Sequence, residues 1–199
     1  LPPHLTAAVG MDALSHNLEA FCAPGFHPLA DGIALEGMRL IHRSLERAVR
    51  DGSDIEARAE LMAASTMGAT AFQKGLGAMH SLSHPVSVAL GSHHGLTNAV
   101  VMPYVLEFNR SAIEDKMELL ARSLALPKSG FAGVQDWVLG LREAIGIPHT
   151  LSALGVQEQH AGELAPSAAA DPTAGTNPVP LDAASLEQLY RRATRGELS

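Results

Sequence analysis

Apolar residues recur along most of the chain three and four positions apart, which is the period of an amphipathic helix. The first run is predicted to begin at a capping Thr6, to include Leu14 and to stop before Pro24. A second run contains Ile41 and ends at Asp51. Both runs predict α-helices.

A third helix is predicted to follow directly. Ser53 and Glu56 form the spacing of a capping box, in which each side chain satisfies a backbone N–H at the helix start. Small residues such as Ala64 and Gly68 then recur along the run, and they predict close contact with neighbouring helices in a tightly packed interior.

The second half of the chain continues in the same way. Further helices are predicted at 96–108, 113–126 and about 132–145, and a last one begins at Asp182. The stretch 165–180 contains five prolines or glycines and is predicted to be a long loop. Because no segment alternates apolar and polar residues, the fold class is predicted to be all-α, with residues 1–199 forming a single helical domain.

Composition narrows the class of protein. Apolar residues make up 46% of the 199 positions and charged residues 18%, as in soluble globular proteins. A net charge of −7 disfavours nucleic acid as a partner, and no apolar run is long enough to span a membrane. The single cysteine, Cys22, and a start without the pattern of a signal peptide favour a reducing, cytoplasmic compartment.

Histidine is unusually frequent in this chain, and the spacing of several histidines is typical of a metal site. Ten histidines are present, four of them between His80 and His94. The pairs Asp12/His16 and His80/His84 each lie four residues apart, so both members of a pair share one helix face and can hold one cation. From spacing alone, an ordinary solvated pair or satisfied core histidines remain alternative interpretations.

Several other chemistries are disfavoured by the residues around these histidines. A zincin-type protease needs a glutamate directly after the first histidine, and Ser81 stands there. The glycines at 75 and 77 lack the third glycine of a dinucleotide-binding loop, and no predicted strand precedes them, so they are interpreted as points of close backbone approach. No serine nucleophile elbow is present. His93 and His94 point in different directions, so at most one of them can serve a shared ion.

Four motifs occur in a fixed order: Gly10-Met11-Asp12-Ala13-Leu14-Ser15-His16, then Gly75-Leu76-Gly77 with His80 and His84-Pro85, then His94-Gly95-Leu96-Thr97-Asn98-Ala99 with Pro103, and finally Thr176-Asn177-Pro178. With them the chain resembles the C-terminal domain of iron-containing (group III) alcohol dehydrogenases over essentially its whole length. The resemblance implies an all-helical bundle. Two positions depart from the family pattern: Ser87 replaces a usual glycine, and Val179 replaces a common arginine.

The resemblance also implies roles for individual residues. Asp12, His16, His80 and His94 are the expected metal ligands, and this set suits Fe²⁺ and would accept Zn²⁺ as readily. His84 is expected to lie beside the nicotinamide and the substrate as the catalytic and cofactor-contacting residue, and to help relay a proton. A related class of zinc polyol dehydrogenases is disfavoured, because its members tend to use three protein ligands rather than four.

The activity implied by the resemblance is the NAD(P)-linked interconversion of an alcohol and an aldehyde or ketone. Small-molecule alcohols or aldehydes are the expected partners, and the enzyme is expected to be a homo-oligomer. NAD or NADP would be held by an N-terminal dinucleotide-binding domain that lies outside this chain. The alternative is a non-catalytic helical fragment that binds metal or another protein.

Overall fold

A computed structural model of the chain describes residues 1–198, which form eight α-helices, three short 3-10 segments and no strand. The predicted all-α class is therefore confirmed. The helices are α1 (Pro3–Cys22), α2 (Pro28–Arg50), α3 (Ile55–Ala71), α4 (Ala78–Leu90), α5 (His94–Ser123), α6 (Gly130–Ala144), α7 (Glu158–Ala169) and α8 (Ala183–Arg195).

Helix α1 lies at the centre of one half of the molecule, where it packs against α2, α3 and α5. Its large apolar side chains Met11, Leu14 and Leu18 are fully buried, and small residues cover much of the remaining surface. A helix with apolar positions on several faces is stable only when neighbours surround it. Polar side chains in the middle of α1 are consequently held in a well-packed frame.

Helix α3 packs through a narrow stripe of small residues, Ala57, Ala64 and Gly68. A side chain at Gly68 would begin 2.8 Å from Nδ2 of Asn17 and 2.9 Å from Cβ of His16, both on α1. The predicted close helix contact is confirmed on this face. The rest of α3 is largely exposed, so the helix lies at the surface and not in the interior.

Two predicted helix starts are wrong by a few residues. Helix α1 begins at Pro3, and Thr6 lies inside it with its N–H bonded to the carbonyl of Pro2 at 2.9 Å. Proline suits the first position of a helix because its missing N–H would have no partner there. Helix α3 is capped by Asp54, and the hydroxyl of Ser53 instead bonds the side chain of Asp51 at 2.6 Å.

Helix α5 is one continuous helix where two were predicted. The polar residues after 108 suggested a break, but the first of them, Asn109, is buried. Its amide donates to the side chain of Asn177 at 3.0 Å and accepts from it at 2.7 Å. Because Asn109 pairs with a distant partner instead of its own backbone, the helix continues through it.

The predicted loop at 165–180 is wrong in its first part, which belongs to α7. Four small or apolar residues of this helix are buried, at the spacing of one helical face: Ala161, Leu164, Ala165 and Ala168. That face packs on α4 and α8. A 3-10 segment, Pro172–Thr176, follows. Helix α8 was predicted to begin at Asp182, and that residue caps it.

No helix within residues 1–198 is both long and apolar enough to cross a bilayer.

Candidate metal centre

Three helices bring the predicted ligands together. Helix α1 carries Asp12 and His16, α4 carries His80, and α5 begins with His94. Potential ligand atoms of the first three side chains all lie within 4.8 Å of one another. His94 joins them from the side, with its Nε2 atom 3.6 Å from Oδ1 of Asp12. Helix α1 therefore meets the 80–94 segment through these side chains.

The imidazole rings form a compact group. The rings of His16 and His80 stack with centroids 4.7 Å apart, and those of His84 and His94 stack at 5.1 Å. His93 stands outside this group, since its Nδ1 accepts the N–H of Leu96 at 3.4 Å at the start of α5. Only one of the two adjacent histidines therefore faces the cluster, as their neighbouring positions predicted.

Asn98 lies where the lone pairs of the cluster converge. Its Nδ2 atom is 2.9 Å from Oδ1 of Asp12, 3.0 Å from Nε2 of His94 and 3.4 Å from Nε2 of His80. The Asn98 side chain is fully buried, and its Oδ1 atom has no hydrogen-bond partner among the described residues. Three acceptor atoms therefore point toward one small region from different directions.

Glu19 fixes the orientation of His80. Its Oε2 atom is 2.6 Å from Nδ1 of His80, and both side chains are almost fully buried. The Nδ1–H donates to the carboxylate, which leaves the lone pair on Nε2 facing the cluster. Burial disfavours the charged ring, but the hydrogen bond and negative charge of Glu19 outweigh burial, so the pKa of His80 lies above its ordinary value.

Ser83 fixes the orientation of His94 in a similar way. Its hydroxyl donates to the carbonyl of His80 at 3.2 Å, and its oxygen lies 3.1 Å from Nδ1 of His94. With the Ser83 hydroxyl hydrogen used on His80, the Nδ1–H of His94 donates to Ser83, and the lone pair of Nε2 faces Nδ2 of Asn98. Burial lowers the pKa of both His16 and His94, which favours the neutral rings that can bind a cation.

The start of α4 is held by side chains from elsewhere in the fold. Oδ1 of Asn177 accepts the N–H of Ala78 at 3.0 Å, and Oε1 of Glu19 accepts the N–H of Met79 at 2.6 Å. A side chain at Gly77 would begin 2.6 Å from Oδ1 of Asn177. Glycine is therefore required there, and its role is the close backbone approach predicted from the sequence.

Gly75 and Gly95 are constrained for similar reasons. A Cβ at Gly75 would lie 2.6 Å from Cβ of Thr176, and the backbone has a φ of +146° that other residues rarely adopt. A Cβ at Gly95 would lie 2.7 Å from Cβ of Asp12 and 2.6 Å from the carbonyl oxygen of Ala8. Gly95 thus lets the start of α5 touch α1, which carries His94 to Asp12.

Solvent exposure varies across the cluster. His80 is closed off from solvent, whereas the side chain of His84 is 42% exposed. Phe72 is 36% exposed, and its ring lies 5.3 Å from that of His16, so it borders the group. Met79 does not line this face, because its side chain is buried in the core.

His84 is paired with a carboxylate that the motifs did not reveal. Its Nδ1 lies 2.8 Å from Oδ2 of Asp171, whose other oxygen accepts the N–H and the hydroxyl of Thr173 at 2.9 and 2.6 Å. Burial opposes ionisation of Asp171, but the bonds from Thr173 and His84 outweigh it and hold the pKa of that carboxyl below its usual range.

Sequence reasoning missed Glu19, Asp171 and the central position of Asn98. Glu19 offered a faint signal, since it is a carboxylate three residues after His16 and so shares a helix face with it. Asp171 offered none, because it lies in the stretch predicted as a loop. Ser87, the departure from the family pattern, leaves its hydroxyl oxygen buried without a hydrogen-bond partner within residues 1–198.

The residues present fit a divalent cation. Asp12 offers a carboxylate oxygen and the histidines offer imidazole nitrogens, the ligand atoms that Fe²⁺ and Zn²⁺ accept. Two of the three rings have their second nitrogen tied to a partner, the arrangement that aims the free nitrogen at a metal. Donor atoms of Asp12, His16 and His80 lie close enough together to serve one ion, and Nε2 of His94 is 3.6 Å from the Asp12 carboxylate.

Fold and cluster together define an all-helical protein with an aspartate–histidine candidate metal centre. Residues 6–194 match the model of the Fe-containing alcohol dehydrogenase family, C-terminal. The chain is 43% identical to 4-hydroxybutyrate dehydrogenase of Cupriavidus necator over 97% of its own length and 52% of that protein. It is 36% identical to NAD-dependent methanol dehydrogenase of Bacillus methanolicus, over 96% of the chain and 52% of the relative.

A solved structure agrees with these relatives. The crystal structure of a 1,3-propanediol oxidoreductase superimposes with a TM-score of 0.93 at 32% identity, covering 97% of this chain and 52% of the other. The chain belongs to the Fe-containing alcohol dehydrogenase family and matches its C-terminal domain. It spans about half the length of the curated relatives it matches.

Proposed function

We propose that this chain supplies the metal- and substrate-binding half of an NAD(P)-linked alcohol dehydrogenase that interconverts an alcohol and an aldehyde or ketone. The observation that carries the proposal is the convergence of Oδ1 of Asp12 with Nε2 of His80 and Nε2 of His94 around Asn98. Family membership supplies the class of reaction to which such a cluster belongs.

The residues that would hold the ion are Asp12, His16, His80 and His94. The proposed ion is Fe²⁺, and Zn²⁺ suits the same ligands. When bound, it supplies Lewis acidity toward a substrate oxygen. The single negative charge of Asp12 leaves a divalent site net positive, which favours an anionic oxygen over a neutral one.

The surrounding residues keep this set rigid. Glu19 and Ser83 hold the rings of His80 and His94 so that Nε2 faces inward in each. The buried amide of Asn98 keeps the side chains of Asp12 and His94 in contact with one another. The Asn98 amide now donates to atoms that would bind the ion, so it would have to give way to a cation. Glu19 and Ser83 can keep the two rings oriented meanwhile.

His84 is the proposed catalytic residue. Its ring stacks on that of His94 at the open side of the cluster, and Nδ1 is engaged by Asp171. Nε2 therefore keeps a lone pair on the opposite ring edge, and the side chain as a whole is 42% exposed. This atom can accept a proton from the substrate side and release it to solvent, the role of a general base. The same edge is the proposed contact with the nicotinamide.

The cofactor would be bound mainly by residues outside this chain. We propose NAD or NADP, held by an N-terminal dinucleotide-binding domain in the complete protein; the methanol dehydrogenase of Bacillus methanolicus is described as NAD-dependent. A small alcohol or aldehyde is the proposed substrate class. The free thiol of Cys22 agrees with the cytoplasmic location that we propose, and homo-oligomeric assembly remains part of the proposal.

The test joins this chain to the remaining half of a relative, such as the Cupriavidus necator 4-hydroxybutyrate dehydrogenase, and loads it with Fe²⁺ or Zn²⁺. Oxidation of 4-hydroxybutyrate, 1,3-propanediol and methanol is followed by the absorbance of reduced cofactor. Turnover that disappears on chelation and returns with metal supports the proposal. A stable, metal-loaded fusion without activity on any alcohol would favour the non-catalytic alternative.

A further inference from the structure

We propose that Asp171 is a positioning residue for His84. It selects the ring form that carries its hydrogen on Nδ1, so that Nε2 keeps a free lone pair toward the substrate. The inference rests on the proposed function, because it gives that lone pair a use. Its structural half, the ring form itself, can be tested without any turnover.

Both oxygens of the Asp171 carboxylate are committed to defined partners. Oδ1 accepts two hydrogen bonds from Thr173, one from the backbone N–H and one from the hydroxyl, at the start of the 3-10 segment Pro172–Thr176. Oδ2 is left to face Nδ1 of His84 at 2.8 Å. An ionised carboxylate can only accept hydrogen bonds, so Nδ1 of His84 must donate.

The segment that carries Asp171 is fixed to the segment that precedes the His84 helix. The hydroxyl of Thr176 donates to the carbonyl of Leu76 at 2.7 Å, and its oxygen accepts the N–H of Leu76 at 3.1 Å. Leu76 lies two residues before α4 begins. The distance between Asp171 and His84 is therefore set by the fold on both sides.

His84 has room to turn if this hydrogen bond is lost. Its ring is 42% exposed, and the Asp171 contact is the one hydrogen bond that the structure shows for it within residues 1–198. A surface cavity of about 370 Å³ lies beside the ring and is lined by His84, Asp171, Val88 and Leu164 among others. Without an anchor, rotation of the ring would exchange the positions of its two nitrogens.

Asp171→Asn is the informative substitution because the amide has only one acceptor atom. The N–H of Thr173 needs that oxygen, so the amide NH₂ would turn toward His84. Nδ1 would then accept, and the ring hydrogen would move to Nε2, on the substrate side. A neutral ring in this form has no lone pair left on Nε2.

The matched control is Asp182→Asn. Asp182 is likewise a capping residue: its carboxylate accepts the N–H of Ser185 at 2.8 Å at the start of α8. The structure shows no histidine bonded to it within residues 1–198. The control makes the same chemical change at the same kind of position, so it reproduces any general effect of losing such a charge.

The first readout is the ring form of His84, measured by ¹⁵N NMR on the 199-residue chain without metal, at a pH where the ring is neutral. The wild-type chain and Asp182→Asn should show hydrogen on Nδ1, and Asp171→Asn should show it on Nε2. Hydrogen on Nε2 in the wild-type chain would overturn the proposal. This result needs no variant to fold.

The second readout uses the active fusion described above. Asp171→Asn should lower kcat by about 10- to 100-fold, as loss of an orienting partner commonly does, with metal content and KM for the alcohol nearly unchanged. An unchanged kcat, or a parallel loss of metal, would show that Asp171 does not act through His84. If the wild-type fusion is inactive while NMR finds Nδ1–H, the proposed function fails and the positioning geometry stands.

Discussion

Replacement of Glu19 by glutamine tests whether the buried carboxylate aims His80 at the ion. In the wild-type chain the two Glu19 oxygens accept from Nδ1 of His80 and from the N–H of Met79, each at 2.6 Å. Glutamine has one acceptor oxygen for these two donors. One of the two contacts must therefore fail.

The two possible failures have different signatures. If the amide oxygen stays with Met79, the NH₂ faces His80, and the ring hydrogen moves to the nitrogen that should bind metal. Loss of such an orienting partner weakens metal binding by about 10- to 100-fold, or roughly 1.4–2.7 kcal/mol. If the oxygen turns to His80 instead, the N–H of Met79 is left buried without a partner, which costs about 1–3 kcal/mol of folding stability.

Zn²⁺ affinity and the unfolding free energy of the metal-free chain are measured together, with Glu36→Gln as the control on the surface pair Glu36–Arg39. Glu19 also raises the pKa of His80, so its removal weakens competition from protons. Titration at about pH 8, where this competition is smallest, isolates the effect of orientation. If Glu19→Gln binds Zn²⁺ with a Kd within about twofold of wild type and has the same unfolding free energy, the reasoning is refuted.

Three further predictions follow from the same structure. His80→Ala should abolish tight metal binding, whereas His84→Ala should keep the metal and lower turnover of the active fusion by about 10²–10⁴-fold; equal metal loss by elemental analysis would contradict these roles. The 199-residue chain alone should not reduce NAD with propanediol, and turnover by a monomeric preparation would contradict the proposed division of labour. Asp31→Asn should cost about 1–3 kcal/mol at pH 7, because the carboxylate bonds Lys116 and the buried Lys74. Burial opposes ionisation of Asp31, but those bonds hold its pKa below the ordinary 3.8. The stabilisation by Asp31 is therefore complete above that value and is lost as the pH falls through the lower folded pKa. Equal dependence of unfolding free energy on pH in variant and wild type would exclude this.

The helices and the two pairs Asp12/His16 and His80/His84 could be predicted because both depend on local spacing. Histidines four residues apart share a helix face wherever that helix packs, and apolar periodicity marks most helices directly. Which faces meet is a different question, and the answer came from the family resemblance. The motif that begins at His94 can lie against α1 because Gly95 has no side chain at the point where α5 touches α1.

The orienting carboxylates could not be predicted because their contacts are long-range. Glu19 meets His80 across 61 positions of the chain, and Asp171 meets His84 across 87. No periodic pattern connects such pairs. Helix α7 was missed for another reason: its buried face consists mostly of alanine, which gives a weak hydrophobic signal although it packs closely.

The most direct test of the central claim is a crystal structure of the chain soaked with Zn²⁺ or grown with Fe²⁺ under anaerobic conditions, with anomalous data collected at the metal edge. The account predicts one strong peak bonded to Asp12, His16, His80 and His94 at about 2.0–2.2 Å, with His84 outside bonding distance. A peak elsewhere, or a fully loaded ion that leaves Asp12 and His80 unbound, would contradict it.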